Sequence, residues 1–72
     1  MQYAIVIEKS PTGFGAYVPD LPGCIAVAET ESEVRDLIRE AIEFHLDGML
    51  EDGDPIPEPA ARVDYVDVSH AA

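Results

Sequence analysis

Basic residues are scarce in this chain: Lys and Arg together number 4, against 15 Asp and Glu. A surface that holds nucleic acid needs clustered cations against the phosphates, and Lys9, Arg35, Arg39 and Arg62 are spread along the sequence. The net charge of −11 opposes direct binding of nucleic acid by this chain and equally opposes an anionic membrane surface. Cysteine is limited to Cys24, which excludes an internal disulfide and any multi-cysteine metal framework. No apolar run approaches the roughly 18 residues of a membrane span. The opening MQYAIVIEKS lacks a basic stretch ahead of a cleavable apolar one, so no secretory leader is expected. These absences point to a cytoplasmic chain with no membrane association.

What is present is enough apolar material for a core: 47% of the 72 residues are hydrophobic. A chain this short buries only about 60% of its unfolded surface, so self-association into a homodimer or larger is expected to support it. The excess acidity has two readings. It keeps a small protein soluble, or it complements a basic protein partner through opposite potentials.

Tyr3, Ile5 and Ile7 alternate with Ala4, Val6 and Glu8, which predicts a first strand. Ser10-Pro11-Thr12-Gly13 is a turn tetrad, and Phe14–Val18 completes a hairpin. Pro19-Asp20-Leu21-Pro22-Gly23 cannot continue a ladder, and Cys24–Ala28 resumes as a third strand. Thr30 with Glu33 forms a capping box that opens a helix over about 31–52, ended by Gly53 and Pro55. Val34, Leu37, Ile38, Ala41, Ile42, Phe44, His45 and Met49 share one broad face of that helix. Leu37, Ile38, Ala41 and Ile42 are expected to be buried against the sheet. Leu46 and Leu50 lie off the stripe and add to the case for self-association. The opposite face carries Glu33, Asp36, Glu40, Glu43, Asp47 and Glu51, with Arg35 and Arg39 flanking them. Glu31–Arg35 and Arg39–Glu43 have the spacing of helical ion pairs.

Asp54-Pro55-Ile56-Pro57-Glu58-Pro59 reads as a stiff extended connector. Arg62–Val68 alternates as a fourth strand, with a phase shift at Tyr65-Val66 that suggests a bulge and an edge suited to pairing between chains. The expected architecture is an α+β two-layer β-β-β-α-β domain over residues 1–68, an antiparallel sheet with one long helix on one face. Residues 69–72 are expected to fray.

Tyr17-Val18-Pro19-Asp20-Leu21-Pro22-Gly23-Cys24 is followed by Thr30 opening Glu33-Val34, by Glu40-Ala41-Ile42-Glu43, by Glu51-Asp52-Gly53 and by Ile56-Pro57-Glu58-Pro59. These collinear segments resemble the HicB-type antitoxins. The resemblance implies a fold like a partial RNase H or double-stranded-RNA-binding domain. It also implies an antitoxin whose partner is a small basic HicA-type toxin that degrades mRNA. Members of the family usually carry a DNA-binding segment after this domain, and this chain reads as a short form without one.

No residue stands out as catalytic or metal-binding. His45 has Ala41, Ile42, Gly48 and Met49 as its helical neighbours, none of which is a ligand, so it reads as a packed histidine. Cys24 sits among acidic and apolar residues, where a thiol is not activated. A metal-dependent nuclease would need carboxylates converging on two metal ions, and the helix acids point away from the sheet. The reading is a non-enzymatic binding protein that needs no cofactor. Asp36, Glu40, Glu43 and Asp47 are expected to meet the basic surface of the toxin. The competing reading is a stand-alone oligomeric ligand-binding or scaffold domain with no toxin partner.

Overall fold

The computed structural model describes residues 1–70. Strand β1 spans Val6–Ser10, β2 Gly13–Tyr17 and β3 Ile25–Ala28, and helix α1 spans Glu31–Asp52. The strands form one antiparallel sheet in the order β1-β2-β3, with Ile7 opposite Ala16 and Ala16 opposite Ala26. Pro11 and Thr12 alone separate the paired ends Ser10 and Gly13. A Cβ at Gly13 would collide with the Ala28 carbonyl oxygen across the ladder, which explains glycine at that strand end.

Alternation assigns the faces. Ile7, Ala16, Ala26 and Ala28 turn toward α1, and Val6, Tyr17, Ile25 and Val27 turn the other way. The helix lies over β2 and β3. Between the layers, Ala16, Val18, Leu21, Cys24, Val34 and Ile38 form the buried core, with Tyr3, Ile5, Ile7, Phe14, Ala41, Ile42 and Leu46 packed around it.

Helix α1 has the expected bounds because both ends are locally specified. Thr30 Oγ1 accepts from the Glu33 N–H at 3.1 Å. The reciprocal Glu33 side-chain bond of a full capping box is absent among the described residues. At the other end Gly53 adopts φ 75°, and the Gly53 and Asp54 N–H groups donate to the Leu50 and Met49 carbonyls. That is a Schellman ending, which needs a residue free to take positive φ.

Three expectations are corrected. Leu37 is 42% exposed, whereas Ile38 beside it is 1% exposed, so the buried stripe is narrower than the wheel suggested. Phe44, placed on the same apolar face, is 83% exposed. Leu46 is half-buried against the core, although its position on the wheel lies off the stripe. At about 100° per residue, Leu37 and Phe44 lie on one shoulder of the face and Leu46 on the other. The helix is rolled toward the Leu46 shoulder.

The fourth strand is the larger correction. Arg62–Val68 belongs to no ladder, and Val63, Tyr65, Val66 and Val68 are 64% to 88% exposed. Alternation specifies an extended segment with two faces, but a strand exists only where a neighbour completes its hydrogen bonds. Among the described residues no segment does so. The phase shift at Tyr65-Val66 is therefore not a bulge in a ladder. The α+β two-layer class stands with the order β-β-β-α. Of the tail expected to fray, residues 71–72 lie outside the described residues, and Ser69 and His70 are exposed.

Candidate functional site

The loop between β2 and β3 is two turns in succession. The Leu21 N–H donates to the Val18 carbonyl at 3.1 Å, and the Cys24 N–H donates to the Leu21 carbonyl at 3.1 Å. Each turn has proline in its second position, where a fixed φ is required. Gly23 at φ 83° is the third residue of the second turn, as a type II turn demands. The Val18 N–H reaches the Cys24 carbonyl at 3.2 Å and closes the loop. The result drives Leu21 into the core and leaves the Asp20 carboxylate turned toward the C-terminal connector.

There Asp20 Oδ2 accepts from the Ala60 and Ala61 N–H groups, each at 3.0 Å. The Tyr3 hydroxyl donates to the Pro57 carbonyl oxygen. Two side chains from the N-terminal third of the chain thus fasten the proline-rich connector, which cannot join a ladder of its own. Neither contact was visible in the sequence. The partners are 54, 40 and 41 positions apart, and no local spacing links them.

Asp36, Glu40, Glu43 and Asp47 are all exposed and follow one line along the outer side of α1. They fall within an arc of about 60° on the wheel. Their cationic neighbours do little to neutralise them. Arg35 pairs with Glu31 at 3.2 Å with both side chains more than half exposed, a geometry of small energetic weight. Arg39 makes no ion pair among the described residues, so the expected Arg39–Glu43 bridge does not form.

Cys24 is buried, and burial pushes its thiol pKa up, opposite to what a nucleophile needs. His45 is half-buried beside Cys24, Phe44 and Met49 in a shallow depression at the β3 side of the helix. Among the described residues no three of His, Cys, Asp and Glu stand close enough to share a metal ion. No helix among them is long and apolar enough to cross a membrane.

Two further surfaces of the sheet and helix layers are open among the described residues. The outer sheet face exposes Tyr17, Ile25 and Val27. On the other side of the molecule, a groove of about 750 Å³ runs between α1 and residues 1–5, floored by Ile5, Ile38, Ile42 and Leu46 and edged by Arg35, Arg39 and Glu43.

A three-stranded meander carrying one capped helix, with two successive proline turns and an acidic outer strip, defines a small two-layer α+β domain. The family model described as the HicB_like antitoxin of bacterial toxin-antitoxin systems matches residues 3–70, and the chain belongs to that family. It is 42% identical over 66 residues to a 14.9 kDa protein from the rep-hol intergenic region of Haemophilus phage HP1, covering 92% of this chain and 50% of that protein. The chain therefore spans about half the length of the phage relative. It is also 42% identical over 57 residues to a UPF0150 protein of Archaeoglobus fulgidus, covering 75% of this chain and 83% of that one. Among solved structures, a chain of the HicA3 and HicB3 toxin-antitoxin complex matches with TM-score 0.71 and 32% identity, over 83% of this chain and 70% of that chain.

Proposed function

We propose that this chain is the toxin-binding part of a cytoplasmic antitoxin that neutralises a small basic HicA-type mRNA-degrading toxin without catalysing a reaction. The observation that carries the reading is the structural likeness to a chain of the HicA3 and HicB3 complex, at an identity that extends beyond shared topology. The net charge supports it, because a −11 surface complements a basic partner and repels the nucleic acid that partner would hold. Asp36, Glu40, Glu43 and Asp47 form part of the contact, standing in for the phosphates of the toxin's RNA. The protein acts as a homodimer, residues 1–68 constitute one domain, and no cofactor takes part.

Titration calorimetry against a purified HicA-type toxin, taken from an adjoining reading frame where one is found, tests the reading. The wild type binds and stops RNA cleavage. The Glu40→Lys, Glu43→Lys double variant binds at least tenfold more weakly, with unchanged helical circular dichroism because both positions are exposed. Equal affinity removes the helix strip from the interface and moves the contact to the sheet. No binding by the wild type rejects the antitoxin reading and leaves the stand-alone scaffold in its place.

A further inference from the structure

The C-terminal segment leaves the body of the molecule. Ala60 and Ala61 are held by Asp20, and from Arg62 to His70 every residue is exposed. The radius of gyration is 14.6 Å, with extents of 51 × 27 × 17 Å. A compact chain of this length has a radius near 11 Å. Yet the arm has the sequence of a strand. Val63 and Tyr65 fall on one face and Val66 and Val68 on the other, so water meets apolar side chains on both sides.

The body of the molecule has a matching gap. Helix α1 covers β2 and β3, and the groove opens on the remaining side, where residues 1–5 run ahead of β1 without a ladder partner. This is the edge of a sheet with apolar residues on the adjoining helix flank. Its rim carries Arg35 and Arg39, two of the four basic residues of the chain, against the single acid Glu43. The arm carries Asp64 and Asp67, one on each face. An unpaired strand, an unpaired edge and opposite charges thus occur in the same chain.

We infer that the arm of one chain adds as a fourth strand to the residue 1–6 edge of a second copy, filling the groove beside Ile5 and Ile42, and that the exchange is reciprocal. The occupant is a second copy because residues 62–70 are all exposed and none of them lines the chain's own groove, although the preceding Ala61 does. Reciprocal exchange satisfies both arms and both edges in one closed pair and leaves no free ladder to propagate. The inference rests on the homodimer reading above and needs no toxin, although Glu43 belongs both to the groove rim and to the acidic strip.

Isotope-filtered nuclear Overhauser spectroscopy on a one-to-one mixture of labelled and unlabelled chains tests it, together with sedimentation equilibrium. The expected result is a two-chain mass and cross-peaks from the Tyr65 ring of one chain to the Ile5 and Ile42 methyls of the other. The Tyr65→Asp, Val66→Asp variant dissociates at least a hundredfold more readily while keeping its circular dichroism, since the arm lies outside the core. A two-chain mass with no such cross-peaks and an unaffected variant overturns the strand exchange and preserves the homodimer. A monomer overturns both, whether its arm folds into its own groove or is ordered only after toxin is added.

Discussion

Asp20 illustrates how one carboxylate organises two distant parts of the chain. Its Oδ2 takes two N–H groups of a connector that cannot pair with a sheet, and a carboxylate acceptor makes those bonds charge-assisted. Asp20→Ala is expected to lower stability by about 1–3 kcal/mol, as for a lost pair of bonds to a charged group. Asp20→Asn, which keeps a carbonyl acceptor, is expected to lose less. Urea melts with a shared slope measure the difference, and an unchanged midpoint for Asp20→Ala would mean that water replaces the carboxylate freely. The turn around this residue was legible because proline and glycine act on their own φ angles. Its purpose was not, because the Ala60 and Ala61 partners are fixed only once the whole chain has folded.

At the scale of elements, legibility follows the same division between local and distant causes. Helix α1 was readable to the residue because its caps at Thr30 and Gly53 are made through contacts within five positions. Its roll about its own axis was not, because that depends on which strands lie beneath it. With α1 over β2 and β3, Val34 and Ile38 face the core while Leu37 rides on the shoulder. Ile38→Ala is therefore expected to cost about 2–5 kcal/mol, the usual range for emptying a filled core site. Leu37→Ala is expected to cost less than about 1 kcal/mol in the isolated chain, near the surface range. Denaturant melts at low protein concentration compare them, and equal losses would place Leu37 against a surface that a single chain does not display. The fourth strand failed for a related reason. The pattern Val63, Tyr65, Val66, Val68 records a preference for extended, two-sided burial, and none of the described residues provides a ladder partner for it.

At the scale of the whole molecule, charge has opposite consequences for the two proposed associations. Two copies each carrying −11 repel at long range, so self-association must come from short-range contacts of the apolar arm and must overcome that field. A basic toxin is drawn in by the same field. Salt screens both effects, with a Debye length falling from about 30 Å at 0.01 M to about 10 Å at 0.1 M. Raising salt across this range is expected to tighten the homodimer in sedimentation experiments. The same change is expected to slow association with the toxin in stopped-flow mixing, where steering contributes to the encounter rate. The Arg39→Glu variant adds a local control: it places a like charge on the groove rim toward Asp67, which shares the Tyr65 face of the arm, and is expected to weaken the homodimer at every salt concentration. A homodimer that loosens as salt rises would show that ion pairs, and not the apolar arm, hold the two copies together. A toxin association rate indifferent to salt would remove the acidic strip from the encounter, leaving the outer sheet face of Tyr17, Ile25 and Val27 as the surface to test next.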